Sequence, residues 1–174
     1  MQLKARRPRV SSSLRPVGRA HRARLEQLTR DTGLFREGEV GTAVELLDES
    51  LAGDDDYRFL GAFDGDQLVG YACWGDTPGT ERTSDLYWIV VDRDRQGLGI
   101  GTELLNEVER RLMADGRRLV VVETSSRADY QPTRGFYEAR RYIRTATIPA
   151  YYAPGDDLVI YTKDLNGDLA TAAP

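Results

Sequence analysis

The apolar run Leu86-Tyr87-Trp88-Ile89-Val90-Val91, the charged link Asp92-Arg93-Asp94-Arg95 and the turn Gln96-Gly97-Leu98-Gly99-Ile100-Gly101-Thr102 decide the fold class of this chain. Six apolar residues in a row fit a strand buried on both faces, the kind found where helices cover a sheet. Beyond the glycines, Leu104, Leu105, Val108 and Leu112 recur at helical spacing, so a helix is expected from about Ile100 to Ala114, stopped by Asp115-Gly116. A second apolar strand, Leu119 to Val122, follows at once. Strand, glycine turn, helix and strand form a unit that needs a parallel crossover. Glycines at a strand-to-helix turn let successive N–H groups face one concavity, where the helix dipole favours an anion, a phosphate or pyrophosphate above all. The spacing of Gly97, Gly99 and Gly101 fits neither a dinucleotide fingerprint, which needs G-x-G-x-x-G, nor a P-loop, which needs a lysine after its last glycine. A tight turn with packing glycines is the structural alternative.

Working outward, the N-terminal side reads as a short strand near Leu14 to Val17, a helix from Arg19 to Thr32 ending at Gly33, and a helix from Arg36 to Leu51 carrying Val40, Val44, Leu47 and Leu51. Strands from Tyr57 to Phe63 and Gln67 to Trp74 flank Asp64-Gly65-Asp66, a hairpin turn. On the C-terminal side, Pro132 opens a short helix through about Arg140. Tyr142 to Tyr151 and Leu158 to Lys163 form a last strand pair across Ala153-Pro154-Gly155-Asp156-Asp157, with Asp156 and Asp157 as turn formers. The predicted fold is α/β: a mixed, largely antiparallel central sheet with one parallel, splayed strand pair and helices on both faces. Residues 13–166 make one domain, flanked by a basic arm over 1–12 and a small polar tail over 167–174.

The composition narrows the chemistry. The chain has 174 residues, 40% hydrophobic and 30% charged, enough for one globular domain with a real core. A single cysteine, Cys73, and a single histidine, His21, exclude a disulfide framework, a cysteine-rich zinc site and histidine metal clusters, so no metal is expected. No membrane span and no signal peptide are read, which suggests a cytoplasmic protein. Residues 1–24 hold eight basic side chains and no acid, leaving sixteen basic against twenty-eight acidic residues in the remainder. The arm could touch nucleic acid or another acidic surface, but an acidic body argues against the whole domain lying on a nucleic-acid backbone and is compatible with cationic substrates.

Gln96-Gly97-Leu98-Gly99-Ile100-Gly101 matches the Q/R-x-x-G-x-G/A signature of the GNAT superfamily of N-acetyltransferases, and the order of elements from about Leu14 to Leu165 resembles that superfamily. Four further blocks are similar to a small-molecule-type branch: Leu86 to Val91, Glu123-Thr124-Ser125-Ser126, Phe136-Tyr137-Glu138, and Tyr152-Ala153-Pro154-Gly155-Asp156-Asp157. The resemblance implies transfer of an acetyl group from acetyl-CoA, the donor co-substrate, to a primary amine by direct attack in a ternary complex. It implies that the amides of Gln96, Gly97, Leu98, Gly99, Ile100 and Gly101 hold the coenzyme pyrophosphate. It further implies that Val90 and Val91 pair with the pantetheine arm, a backbone N–H there stabilising the developing oxyanion.

Tyr137 corresponds to the tyrosine that often protonates the leaving thiolate, and its phenol is protonated at neutral pH. Packing under the sheet is its structural alternative. Glu123, at the end of a buried strand, could accept the amine proton through water, with Asp85 or Asp129 as substitutes; hydrogen bonding to the following Thr124-Ser125-Ser126 turn is its structural alternative. The resemblance implies a small-molecule or peptide amine as acceptor and a possible homodimer, a state common in the superfamily. A non-catalytic acyl-CoA-binding or regulatory module is the alternative function. Two positions depart from the family pattern. Tyr130 and Thr133 stand where many members have Asn-x-x-Ala, which changes the side chains available to the coenzyme. Arg141 stands at a helix end where glycine is common and physically favoured.

Overall fold

Helical periodicity and strand alternation both translate into burial. In the computed structural model, which describes residues 12–167, helix α1 (Arg22–Asp31) turns Leu25 and Leu28 inward. Helix α2 (Glu37–Leu51) buries Val40, Ala43, Val44 and Leu47, one stripe at three-four spacing. Its start is fixed locally: the Arg36 N–H donates to Glu39 Oε2 at 2.8 Å, and Glu37 and Glu39 stand in the first turn, where the dipole favours acids. Gly33 ends the segment after α1 with φ +68°, as a helix-terminating glycine should.

The strands among the described residues are β1 (Ser13–Pro16), β2 (Arg58–Asp64), β3 (Gln67–Asp76), β4 (Thr83–Val91), β5 (Leu119–Ser125), β6 (Ile143–Ala153) and β7 (Asp156–Asp164), joined in one sheet of order β1-β2-β3-β4-β5-β7-β6. Pairing is antiparallel except between β4 and β5, which gives the mixed sheet expected. Parallel pairing is confined to Thr83–Asp85 against Leu119–Val121. The remaining helices are α3 (Ile100–Ala114) and α4 (Gln131–Glu138).

By their internal packing the described residues divide into two compact units, one comprising 12–73 together with Trp88–Glu107, the other Trp74–Tyr87 together with 108–167. The first unit is centred on Leu25, Leu28, Val44, Leu47, Phe63, Leu68 and Tyr71. Here the Tyr71 hydroxyl and Thr29 Oγ1 satisfy each other at 2.7 Å inside the core. In the second unit, α4 and β7 bring Tyr137, Tyr142 and Tyr161 into one aromatic cluster, with Tyr137 ring centroids 5.3 Å from Tyr142 and 6.3 Å from Tyr161.

Three expectations are corrected. The strand buried along nearly its whole length is β3, from Leu68 to Gly75, whereas Tyr87, Trp88, Ile89 and Val91 of β4 keep part of their surface open. An apolar run reports what a strand can bury, and β4 loses its β5 partner after Asp85. β5 alternates for the same kind of reason, with Val120 and Val122 buried and Val121 half-buried. Asp156 and Asp157 are β7 residues: the turn is Pro154-Gly155, Gly155 having φ +82°, and Asp156 is buried against the Ser125 hydroxyl. The basic arm, except Ser12, and the tail, except Gly167, lie outside the described residues. Ser12 itself donates to Glu103 Oε2 at 2.5 Å.

Candidate active site

In the first unit, the end of β4 and the turn into α3 form one continuous feature containing Val90, Val91 and Gln96 to Gly101. Val90 is buried, and β3 supports it closely. A Cβ added to Gly70 would stand 2.9 Å from the Val90 carbonyl oxygen and 3.4 Å from Ile100, so only glycine lets β3 run under this strand. After β4, the Asp92 N–H donates to the Val69 carbonyl at 2.9 Å, and the Asp92 carboxylate takes the Asp94 N–H at 3.0 Å and a salt bridge from Arg24. Arg95 reaches Asp64 at 2.8 Å. Gln96 turns back through its side chain, whose Nε2 donates to the Val91 carbonyl at 3.3 Å.

These ties fix the turn from outside and leave its glycines to shape it. Gly97 and Gly99 have φ +77° and +97°, values that side chains rarely adopt, while Gly101 lies in the first turn of α3. A Cβ at Gly97 or Gly99 would meet nothing within 4 Å, so the backbone there borders open space. The first backbone bond at the helix start runs from the Glu103 N–H to the Gly99 carbonyl at 3.0 Å, which puts the N–H groups before it outside the helical ladder. The Gln96 N–H is directed to the Arg93 carbonyl at 3.4 Å, and the open backbone at Gly97 and Gly99, with the N-terminal dipole of α3, fits an anion such as the coenzyme pyrophosphate. Leu98 is half-buried and Ile100 fully buried.

In the second unit stand Glu123 and Tyr137, and the structure does not bring them together. Val122 pairs with Tyr161, whose ring lies beside Tyr137, so Tyr137 occupies the Val122 face of the β5–β7 pair. Glu123, one residue on, belongs to the opposite face, which it shares with Asp85 through the Asp85–Val121 register. Glu123 is exposed, yet enough chain surrounds its carboxyl to raise it above the ordinary carboxylate range, and the Asp85 carboxylate adds to this. Asp85 is itself anchored by the Thr77 hydroxyl, 2.7 Å from Oδ2. Burial holds the Tyr137 phenol protonated far above neutral pH.

Around the end of β5 lies a polar network that sequence reasoning missed. The Ser125 hydroxyl bonds Asp156 and accepts the Arg127 N–H at 3.1 Å; Ser126 and Asp157 exchange bonds at 2.8 and 2.9 Å. Arg134 of α4 donates through Nη1 to the carbonyls of Ser125, at 2.6 Å, and Arg127, at 2.9 Å. The recurrence of Ser and Asp in two separate blocks was the signal for the first part; nothing in the sequence marks the target of an arginine that bonds carbonyls.

The lone histidine and the lone cysteine are structural. His21 accepts the Gly18 N–H through Nδ1 at 3.0 Å and edges onto Phe63. Cys73 is fully buried and its thiol is pushed up by burial, as for a small apolar side chain. Tyr71 and Trp74 are core residues, whereas Tyr87 and Tyr151 are exposed.

The family described as Acetyltransferase (GNAT) matches residues 23–141. A crystal structure from Desulfovibrio desulfuricans assigned to the GNAT family has a TM-score of 0.84 and 39% identity, covering 89% of this chain and 99% of that one. An aminoglycoside 6'-N-acetyltransferase crystallised with coenzyme A has the same fold, with a TM-score of 0.74 at 20% identity over 88% of this chain and 97% of that one. S-(2-succino)cysteine N-acetyltransferase of Bacillus subtilis is 29% identical over 96 residues, 55% of this chain and 57% of that relative's own length. A match that runs from α1 through the glycine turn to the end of α4 is more than half of the chain, and the chain belongs to the GNAT acetyltransferase family.

Proposed function

We propose that the chain is an N-acetyltransferase of the small-molecule type, which moves the acetyl group of acetyl-CoA directly to a bound primary amine. The observation that carries the reading is the turn at Gly97 and Gly99, left-handed, open to ligand and placed at the start of α3. Donor binding falls to the amides from Gln96 to Gly101 and to the backbone of Val90 and Val91. The amine nitrogen bonds to the acetyl carbonyl carbon, and the C–S bond then breaks to release a thiolate. A backbone N–H near Val90 and Val91 serves the developing oxyanion. Tyr137 gives a proton to the departing sulfur, and Glu123, which stands on the opposite face of the β5–β7 pair, takes the proton that the ammonium must lose before attack through a chain of water rather than by contact with the reacting nitrogen. Burial makes the phenol a weaker acid than usual, so its donation is concerted with C–S cleavage and its advantage lies near the low end of general acid catalysis, about 10²-fold. A cytoplasmic setting belongs to the same proposal. No helix among the described residues is long and apolar enough to cross a membrane.

Thiol release from acetyl-CoA tests the reading over a panel of S-(2-succino)cysteine, an aminoglycoside, a polyamine and a peptide with a free N-terminus. The first probe is chosen because its acetyltransferase is the curated relative matched here. CoA production that depends on an amine is the expected result. Acetyl-CoA binding with no amine-dependent release from any probe would instead make the chain an acyl-CoA-binding module.

A further inference from the structure

We propose that Arg134 is a positioning residue for Tyr137, holding the short helix α4 at the end of β5 so that the phenol stands where proton transfer needs it; this rests on the reading of Tyr137 as proton donor. Helix α4 has eight residues and no side-chain cap at its start, and a helix of that length has little stability of its own. Its far end is closed locally: the Tyr142 N–H donates to the Tyr137 carbonyl at 3.1 Å and the Arg141 N–H to Glu138 at 3.1 Å. That closure, like the aromatic contacts, shapes the helix end and the ring environment. Registration of the near end comes from Arg134, whose Nη1 bonds two carbonyls past β5 at 2.6 and 2.9 Å. A guanidinium on two carbonyls is a charge-assisted, directional link.

The receiving end is itself rigid. Ser125 is held through its hydroxyl by Asp156 of β7 and through its backbone by the β5–β7 register opposite Leu158. The Arg127 carbonyl also accepts the Tyr130 N–H at 3.1 Å, closing the turn that leads into α4. Arg134 and Tyr137 are three residues apart, hence on one side of the helix. Loss of the link frees the near end of α4 while the far end stays capped, a pivot that displaces the Tyr137 hydroxyl without removing it.

A mutant cycle tests this, using the panel amine that gives the fastest CoA release. Arg134→Met keeps the aliphatic stem and removes the donors. Its kcat should fall about tenfold, since a displacement near 1 Å can cost up to about 10²-fold, with the acetyl-CoA dissociation constant unchanged. Arg134→Lys, which keeps the charge and one donor group, should recover part of the loss, and carries the same cycle if the Met variant does not fold. In a Tyr137→Phe background the Arg134 substitution should cost almost nothing more, because the group it positions is gone. Wild-type kcat in a folded Arg134→Met protein, or a loss that multiplies fully with that of Tyr137→Phe, would overturn the positioning role alone. Wild-type turnover in Tyr137→Phe, or no CoA release with any panel amine, overturns the functional reading and the positioning role together.

Discussion

Arg141 shows what one residue can cost. It occupies the position after α4 where the family pattern has glycine, and its φ of +66° is the left-handed conformation that such a helix end requires. An L side chain pays roughly 1–2 kcal/mol there, of which glycine's greater unfolded freedom returns a part. Its side chain is exposed, so Arg141→Gly should stabilise by about 1 kcal/mol, seen in thermal unfolding as a rise of about 2–4 °C. A fall in Tm would mean that the arginine contributes more than its backbone conformation costs. Glu123 makes a statement about pH. Its carboxyl is raised by lost solvation and then by Asp85, so the folded protein keeps this proton to higher pH than the unfolded chain. Its contribution to stability is therefore present at low pH and declines as pH rises from the ordinary carboxylate range through the raised value. The same shift delays formation of the base, so kcat/KM should show an acid limb above the ordinary glutamate range. Asp85→Asn should move that limb to lower pH, and Glu123→Gln should lower the rate and abolish it; a limb unchanged in Glu123→Gln would assign it to another group.

At the scale of elements, what the sequence made legible was local. The stripe Val40, Val44, Leu47 and the run Leu104, Leu105, Val108, Leu112 reached the core because a helix face is set by spacing alone. The glycine turn was legible because positive φ at Gly97 and Gly99 is a demand that only certain residues meet. Burial of β3 and partial exposure of β4 were not legible, because LVGYACWG and LYWIVV are both apolar and only the neighbouring strands decide which faces are covered. Gly70 carried a sign that could have been read, since a glycine inside a strand suggests close approach of another backbone, here the Val90 carbonyl. The Pro-Gly-Asp-Asp turn misled because turn chemistry suits Asp at every position, whereas Asp156 answers to Ser125, thirty-one residues away. Long-range polar pairing has no period, so the Ser and Asp blocks hinted at the network at the end of β5 while the targets of Arg134 could only be seen in three dimensions.

For the whole molecule, charge and ligand binding pull in different directions. The chain is acidic, with a formal net charge of −4, and acetyl-CoA is an anion, so the long-range field gives the donor no general attraction. On the proposed function, affinity must then come from fixed local donors, which the open glycine turn would supply. Binding to the native state alone should stabilise the protein by about 2.7 kcal/mol when acetyl-CoA is at 100 times its dissociation constant. At about 2–4 °C per kcal/mol for a chain of this size, Tm should rise by about 5–10 °C. Gly99→Ala should remove most of this rise, because it introduces a Cβ into the space the pyrophosphate would enter and strains the backbone that presents the amides. Strain by itself would only lower the starting Tm, and Gly53→Ala separates the two effects. Gly53 has φ +101°, against +97° for Gly99, and its Cβ also would meet nothing within 4 Å. The two substitutions therefore share a conformational cost and differ in place: one follows α2, the other precedes α3. Both variants should start from a lower Tm, and only the Gly53 variant should keep the full rise with acetyl-CoA. Equal rises in the two would show that the donor is held somewhere other than the glycine turn.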